Sequence, residues 1–302
     1  MNSILVTGGS GFIGSAFCKK AVDRGNKVTV LTRNPASAAK SLPEEASLIK
    51  QLDELDEGQA IDTVLNLAGE PLAEGRWNDQ RKQAFYDSRV GTTQQLFNFF
   101  EERELKPELI ISGSAVGYYG PGSRPMSEVS SPVDCYSHRL CNAWEATAKQ
   151  FDVLGTRVCK LRVGIVLGDK GALSRMLPAF KLGMGGPIGS GKQWMSWIHI
   201  DDMVELIFHC MKRTDIRFAI NATAPNPVTN REFSKTLGSV LHRPAMFTMP
   251  AGMVKLLFGE MGQELLLEGQ RVVPTKALET SFEFQYPVLR DALENLVGHT
   301  AS

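Results

Sequence analysis

The sequence predicts an α/β fold, in which a doubly wound parallel sheet is followed by a second, smaller C-terminal lobe. In the first 170 residues, short apolar runs alternate with helix-like stretches, which is typical of strand–helix–strand units. After Gly168 the pattern changes, because glycine, methionine, tryptophan and proline become common. We therefore predict a first domain over 1–168 and a smaller lobe over 169–302. Residues 194–222 are expected to be able to return to the sheet.

Five apolar runs predict the strands of the sheet. They are rich in branched aliphatic residues and are bounded by Gly, Asn or Pro. The runs span residues 4–6, 28–31, 64–67, 109–111 and 158–161. Continuous apolar runs of this length are typical of strands that are covered on both faces. Helix-like stretches such as 11–24 and 89–104 lie between them, so we expect right-handed crossovers.

Composition and charge exclude several classes of protein. The chain has 302 residues, 33 Lys plus Arg and 33 Asp plus Glu, so its formal net charge is zero. A nucleic-acid-binding protein normally carries a basic excess, and a membrane span needs about 18 or more consecutive apolar residues. Neither feature is present, and the first residues lack the basic region of a signal peptide. We expect a cytoplasmic protein with no nucleic-acid or membrane partner.

The cysteine and histidine residues indicate neither a disulfide framework nor a metal site. The five cysteines are odd in number and include no C-x-x-C pair. The five histidines are scattered and include no H-E-x-x-H spacing. This pattern favours reduced thiols in a cytosolic protein and predicts no protein-bound metal.

A glycine-rich turn follows the first predicted strand. Residues 4–14 read ILVTGGSGFIG, which places glycines at 8, 11 and 14 before a helical stretch. This arrangement is typical of a Rossmann-type dinucleotide site, in which the glycines permit the turn, the approach of a pyrophosphate and close helix packing. The predicted cofactor-binding residues here are Thr7, Gly8, Gly11, Phe12, Ile13 and Gly14. The alternative is a tight strand–helix turn without a ligand.

The end of the second strand indicates which dinucleotide binds. An NAD site usually has Asp or Glu at this point, about 20 residues past the turn. The sequence instead has Thr32 and Arg33, and a guanidinium can pair with a 2′-phosphate through two hydrogen bonds. We therefore predict NADP, as NADPH or NADP⁺, with Thr32 and Arg33 among its ligands. The alternative is a solvated surface arginine.

Several segments resemble the extended branch of the short-chain dehydrogenase/reductase superfamily, which includes sugar-nucleotide epimerases. They are Thr7 to Gly14, NLAG at 66–69, GT at 91–92, SGSA at 112–115, LRVGIVLG at 161–168 and WIHIDD at 197–202. More narrowly, the segments 185–191, 194–202, 221–227 and 265–274 resemble an "epimerase family" subgroup with a C-terminal domain of unknown function. The resemblance implies that Leu67, Ala68, Gly69 and Arg162 contact the cofactor.

The resemblance also implies a catalytic Ser, Tyr and Lys. Ser114 fits the serine position, although a strand-end hydroxyl bonded to backbone is the alternative. When Glu145 is aligned with the usual helical Glu, the Tyr and Lys positions hold Ser137 and Cys141. Tyr136 is one residue away, which is about 100° around a helix. The usual proton-transfer pair is therefore predicted to be absent.

Other residues are candidates for the missing chemistry. Tyr118 and Tyr119 follow Ser114 by a few residues, and His138 and Arg139 lie beside the vacant positions. Cys141 is a candidate acid/base, but the interpretation as a buried core thiol is favoured. The predicted catalytic residues are Ser114, Tyr118 and Cys141.

Four residues are predicted to bind substrate: Glu128, Lys192, Trp194 and His199. The loop 186–192 has the frame G-x-x-x-x-G-K but lacks the following Ser or Thr, so we interpret it as an anion-binding loop and not as a nucleoside triphosphate site. The stretch 249–261 shows apolar residues at helical spacing. We expect it to be buried in the core of the lobe, with a substrate cleft or a dimer face as the alternatives.

Together these features predict an NADP-dependent oxidoreductase or epimerase. Its substrate would be a small molecule with a hydroxyl or carbonyl group, with a nucleotide-linked sugar as one candidate. A homodimer is compatible with the sequence. The alternative function is a regulatory or sensor protein that binds NADPH without catalysis.

Overall fold

A computed structural model describes residues 2–56 and 58–298 as a central sheet between helices, followed by a smaller lobe. The strands are β1 (Ser3–Thr7), β2 (Lys27–Leu31), β3 (Ser47–Ile49), β4 (Thr63–Asn66), β5 (Leu109–Ala115), β6 (Gly122–Met126), β7 (Arg157–Val163), β8 (Ile165–Leu167), β9 (Trp194–Met195), β10 (Trp197–His199), β11 (Phe218–Ala222), β12 (Val228–Thr229) and β13 (Gln270–Val272).

The helices in chain order are α1 (Phe12–Asp23), α2 (Pro35–Ala38), α3 (Asp79–Tyr86), α4 (Thr92–Glu102), α5 (Tyr136–Lys149), α6 (Ala172–Lys181), α7 (Ile200–Lys212), α8 (Asn230–Val240), α9 (Ala251–Gly262), α10 (Thr275–Glu279) and α11 (Leu289–Val297). Short 3₁₀ turns span Leu52–Glu54, Val116–Tyr119 and Gln150–Leu154. Two π turns span Asp87–Gly91 and Gln263–Leu267.

The sheet is parallel and doubly wound, as predicted. Its strand order is β11-β7-β5-β4-β1-β2-β3, so the chain begins in the middle, builds one side and then crosses to the other. The register places Thr7 opposite Asn66, Asn66 opposite Ser112, and Ser114 opposite Arg162. The carboxyl ends of these strands therefore form one edge, where ligands of such sheets bind.

Helices cover both faces of the sheet. On one face α1 packs against α7, where the rings of Phe17 and Phe208 stack at 4.9 Å. On the other face α4, α5 and the turn Gln150–Leu154 bury aromatic and aliphatic side chains, including Leu96, Phe100 and Phe151. Burial of one such side chain contributes about 1.5–3 kcal/mol to the stability of the fold. The apolar strands are therefore stabilised by the helices that cover both faces of the sheet.

The five predicted strands are confirmed as β1, β2, β4, β5 and β7. Strand β3 was not predicted, because only two of its three residues, Leu48 and Ile49, are apolar. Within 194–222, Phe218–Ala222 returns to the sheet beside β7. The strands Trp194–Met195 and Trp197–His199 do not join that sheet and instead pair with β12 and β8.

The smaller lobe has its own core, formed mainly by α6, α8 and α11. The expectation that the stretch 249–261 is buried in this core is wrong for most of its apolar residues. Met253, Leu256 and Leu257 are 49%, 75% and 52% exposed, whereas Met261 is buried. Gly259 has φ 59° and interrupts α9, so the helical spacing does not continue from Leu257 to Met261.

Candidate functional site

The glycine turn between β1 and α1 is shaped by close backbone contacts. Gly8 has φ +67°, and a Cβ atom there would lie 2.5 Å from the carbonyl oxygen of Leu67. A Cβ on Gly14 would lie 2.2 Å from the carbonyl oxygen of Gly8. Any side chain at either position would collide with backbone, so the turn requires glycine at both.

The first turn of α1 presents backbone amides to the same edge of the sheet. Gly11 precedes the helix, no side chain caps it, and the first turn contains no acidic residue. The amides of Phe12, Ile13 and Gly14 therefore lack intrahelical acceptors and lie at the positive end of the helix dipole. The ring of Phe12 packs against Gly168 and Gly171, so this residue offers its amide and not its side chain.

A chain of buried hydrogen bonds joins this turn to the helices behind it. Thr7 Oγ1 donates to Asn66 Oδ1 at 2.6 Å and accepts from the amide of Ala68 at 3.2 Å. Asn66 Nδ2 donates to Thr93 Oγ1 at 2.8 Å, and Trp144 Nε1 donates to the same oxygen at 3.1 Å. The segment Leu67, Ala68 and Gly69 that follows β4 is thereby fixed beside the glycine turn.

The end of β2 carries an exposed cation. Arg33 is 92% exposed in its side chain, and its Nη1 lies 3.1 Å from Glu70 Oε1. Thr32 donates its amide to the carbonyl of Ile49 at 2.9 Å, which leaves its side chain beside Asn34. The guanidinium is therefore free to bind an anion if that anion takes the place of the Glu70 carboxylate.

A buried charge network lies at the ends of β5 and β7. Arg162 pairs with Glu145 through two bonds, from Nε at 2.7 Å and Nη2 at 2.9 Å. Ser114 Oγ donates to the same carboxylate at 2.8 Å, and Lys160 Nζ lies 3.4 Å from it. Burial alone would raise the pKa of Glu145, but the hydrogen bonds and charges of Arg162 and Lys160 outweigh it, so the pKa is lowered.

This network bears on two sequence predictions, which stay predictions. Arg162 was predicted to contact the cofactor, but its remaining Nη1 donates to Tyr119 Oη at 2.9 Å and to the carbonyl of Glu128 at 3.2 Å. Glu128 was predicted to bind substrate, but its Oε1 accepts the amides of Asn221 and Lys276. Both side chains are used inside the protein, because each satisfies buried groups on neighbouring elements.

The two tyrosines after Ser114 differ in their surroundings. Tyr119 is fully buried and donates to Asn221 Oδ1 at 2.7 Å, and burial raises its pKa to about 12. Tyr118 is half-buried, with the guanidinium of Arg162 3.5 Å from its ring centre and the ring of His138 at 5.1 Å. No partner of the Tyr118 hydroxyl lies among the described residues, so it is available to a ligand.

Ser137 and Cys141, at the positions predicted for the catalytic pair, contact other groups of the protein. Ser137 donates its amide to Glu264 Oε2 at 3.0 Å and bonds the same oxygen through its hydroxyl. Tyr136 also donates its amide to Glu264, at 3.2 Å, and its ring packs on Trp77. Cys141 is buried, and burial raises its pKa to about 11, which favours the core interpretation over acid/base chemistry at neutral pH.

The remaining predicted substrate residues lie in the smaller lobe. His199 is buried: its Nδ1 accepts the amide of Asp201 at the start of α7, and its ring lies 3.9 Å from that of Tyr286. It therefore stabilises the helix start, and its role in substrate binding stays a prediction. Trp194 stacks beneath the guanidinium of Arg271 at 4.4 Å, and Lys192 is exposed in its loop.

Sequence reasoning missed two residues that adjoin this site. Glu264 comes from the C-terminal lobe, and Arg89 lies on the π turn before α4, where its Nη2 donates to the carbonyl of Glu70. The sequence carries no periodic signal for either position, because a π turn shifts the helical spacing by one residue.

The sheet order and the glycine turn define a Rossmann-fold protein of the short-chain dehydrogenase/reductase type. Residues 4–221 match the model of the NAD dependent epimerase/dehydratase family, and residues 249–296 match a domain of unknown function, DUF1731. The chain belongs to the NAD dependent epimerase/dehydratase family, as the sequence predicted.

Named relatives match almost the whole chain. The "Epimerase family protein SDR39U1 homolog, chloroplastic" of Arabidopsis thaliana is 37% identical over 98% of this chain and 86% of that protein. The "Epimerase family protein SSP1921" of Staphylococcus saprophyticus is 39% identical over 98% of this chain and 100% of that protein. The solved structure of human epimerase family protein SDR39U1 (isoform2) with NADPH has TM-score 0.86 and 34% identity, covering 97% of this chain and 98% of that one.

Two further kinds of site were sought in the described residues. Across 2–56 and 58–298, no three His, Cys, Asp or Glu side chains are grouped so that they could hold a metal ion. In the same part of the chain, none of the helices combines the length and apolar character needed to cross a membrane.

Proposed function

We propose that this chain binds NADPH and acts as an NADP-dependent oxidoreductase on a small molecule with a hydroxyl or carbonyl group. The observation that carries the proposal is the turn from β1 to α1, where Phe12, Ile13 and Gly14 present amides without acceptors. Gly8 and Gly14 leave no side chain between these amides and a pyrophosphate. The nicotinamide ring of such a cofactor would supply the hydride.

The exposed guanidinium at the end of β2 supports NADP over NAD. Arg33 projects into solvent, and the strand ends without the carboxylate that usually binds the ribose of NAD. A 2′-phosphate would replace Glu70 as the partner of Arg33 and form charge-assisted hydrogen bonds. The crystallisation of the human relative with NADPH, at 34% identity, supports the same choice.

The residues available for proton transfer are Ser114 and Tyr118. Ser114 Oγ donates to Glu145 and has lone-pair capacity to accept a hydrogen bond from a substrate hydroxyl. Tyr118 lies in the turn directly after β5, and its phenol is the group we assign to proton donation toward a substrate carbonyl. Cys141 is left out, because its thiol is buried and its pKa is about 11.

The test of cofactor choice is a titration of the purified protein with NADPH and with NADH. We expect tighter NADPH binding and a loss of about 10–100-fold in NADPH affinity for Arg33→Ala, which corresponds to charge-assisted hydrogen bonds worth about 1.5–3 kcal/mol. Arg139→Ala is the matched control, since Arg139 is also exposed and paired with one carboxylate, Asp134. Tighter NADH binding, or no effect of Arg33→Ala, would overturn the assignment.

The test of the reaction is NADPH oxidation in the presence of a panel of small carbonyl compounds. Turnover should fall at least 100-fold in Tyr118→Phe and in Ser114→Ala, while NADPH affinity stays within twofold, because neither side chain lies at the glycine turn. NADPH binding without hydride transfer to any member of the panel would overturn the oxidoreductase and leave a non-catalytic NADPH-binding protein.

A further inference from the structure

The π turn Asp87–Gly91, between α3 and α4, carries an arginine at the edge of the candidate site. Arg89 Nη1 donates to the carbonyl of Phe85 at 3.3 Å and Nη2 donates to the carbonyl of Glu70 at 3.0 Å. A guanidinium has five N–H donors, so three are unused by these bonds. Single π turns inside helices are frequent at functional sites.

This guanidinium is partly withdrawn from water. Burial lowers the pKa of Arg89, and across residues 2–56 and 58–298 it forms no ion pair. The carboxylate whose charge acts on Arg89 is Glu70, and it pairs with Arg33. The two carboxylates that act on the neighbouring Tyr136 are also engaged, since Glu260 pairs with Lys82 and Glu264 accepts the first amides of α5. A cation in this state is costly unless a ligand supplies the negative charge.

The arginine is also held in place. Thr93 Oγ1 donates to the carbonyl of Arg89 at 2.6 Å, and the same threonine is fixed by the bonds from Asn66 and Trp144. The guanidinium lies against Gly69, where an added Cβ atom would be 2.9 Å from Arg89 Cζ. The same Cζ lies 5.4 Å from the ring centre of Trp144. It is therefore positioned between the turn that follows β4 and helix α5.

We propose that Arg89 binds an oxyanion, a carboxylate or a phosphate, beside the turn that follows β4. The fixed guanidinium, its unused donors and the absence of an ion-pair partner in the described structure together define the site. The proposal deepens the proposed function, on which it rests for the identity of the molecule that carries the anion. If that molecule is the substrate, the substrate class is an anionic hydroxyl or carbonyl compound.

The experiment uses the full chain with inorganic phosphate and malonate as probes. Calorimetry and thermal unfolding are measured for the wild type, Arg89→Met and Arg89→Lys, each with and without saturating NADPH. We expect the wild type to bind at least one probe and to be stabilised by it, Arg89→Met to bind it at least tenfold more weakly, and Arg89→Lys to fall between them. Arg81→Met is the matched control, since Arg81 donates to the carbonyl of Pro71 and stacks on Phe85.

The two sources of the anion give different results. If the substrate carries it, NADPH affinity of Arg89→Met equals that of the wild type, and the probe binds together with NADPH. If the cofactor carries it, NADPH affinity falls at least tenfold and the probe competes with NADPH. Either result supports the site.

Three outcomes would overturn the proposal. They are a wild type that binds neither probe, an Arg89→Met variant that binds the probe as tightly as the wild type, and an unfolding temperature that falls in anion-free buffer while the probe-induced shift stays unchanged. The last pattern is that of a purely structural arginine. Because NADPH binding by the wild type is measured separately, failure of the cofactor proposal is distinguishable from failure of the anion site.

Discussion

The two ends of the candidate site are formed by different kinds of chemical group. At the glycine turn, backbone amides and carbonyls form the surface, and Gly8 and Gly14 are required because any side chain would collide with backbone. At the α5 end, buried charged side chains form it, with Glu145 bonded to Arg162 and Glu264 bonded to the first amides of α5. The first end depends on shape and the second on matched charges.

This difference explains why the two ends respond differently to substitution. A backbone surface is specified by a few adjacent residues and is lost when one glycine gains a side chain. A charge network is specified by residues far apart in sequence, and each partner protects the others from the cost of burial. The predictions below test this contrast, in order of decreasing effect.

The largest effect is expected at the buried ion pair. Glu145→Gln removes the charge that Arg162 and Lys160 face, so two buried or half-buried cations lose their partner. We expect the free energy of unfolding to fall by about 3–5 kcal/mol, as measured by denaturant unfolding at pH 7. The double variant Glu145→Leu with Arg162→Met is the control and should lose less than Glu145→Gln. An equal or larger loss in the double variant would contradict the charge-network account.

The same pair gives a pH dependence. Because the pKa of Glu145 is lowered in the folded state, its contribution to stability is complete above the ordinary value of 4.5 and is lost as the pH falls through the lower folded value. Denaturant unfolding between pH 6 and 3 should therefore show a steeper loss in the wild type than in Glu145→Gln.

The second-largest effect is expected at the glycine turn. Gly14→Ala places a Cβ atom 2.2 Å from the carbonyl oxygen of Gly8, so the helix must move away from the turn. We expect a loss of about 1–3 kcal/mol in unfolding free energy and loss of NADPH binding in the titration. Gly252→Ala in α9 is the control, since no atom lies within 4 Å of the added Cβ, and it should be neutral or slightly stabilising. Normal NADPH binding by Gly14→Ala would contradict the account of the turn.

The difference between the glycine turn and the charge network also explains which parts of the fold and the site could be predicted from the sequence. The strands β1, β2, β4, β5 and β7 are continuous apolar runs, and the turn at Gly8 and Gly14 is a local motif, so both are visible without a structure. The prediction that Ser137 and Cys141 take the positions of the catalytic pair also needs no structure, because it depends only on spacing from Glu145.

The charge network at the α5 end could not be predicted in the same way. Arg162 follows an apolar run and was assigned to the cofactor, but its partner Glu145 is 17 residues earlier on another element. Glu264 reaches α5 from a position 127 residues beyond Ser137, across the boundary of the lobes. Pairings at such separations are fixed by tertiary packing and leave no periodic pattern in the chain.

The third prediction concerns the contact between the lobe and α5. Glu264→Ala removes the acceptor of the first amides of the helix, so we expect a loss of about 0.5–2 kcal/mol in unfolding free energy. The control is Glu260→Ala, one helical turn earlier, which breaks only the surface pair with Lys82 and should cost about 0–1 kcal/mol. An effect of Glu264→Ala no larger than that of Glu260→Ala would show that the carboxylate does not cap α5.

The smallest effect is expected at Cys141, which occupies the lysine position but lies in the core. With a pKa of about 11, only about 0.1% of this thiol is ionised at pH 8, and the side chain is buried. Iodoacetamide at pH 8, followed by mass spectrometry, should modify Cys141 only after unfolding and the half-buried Cys135 earlier. Cys141→Ala should keep NADPH affinity within twofold. Rapid native labelling of Cys141 would restore it as a candidate acid/base and would mean that the α5 end is open to solvent at that position.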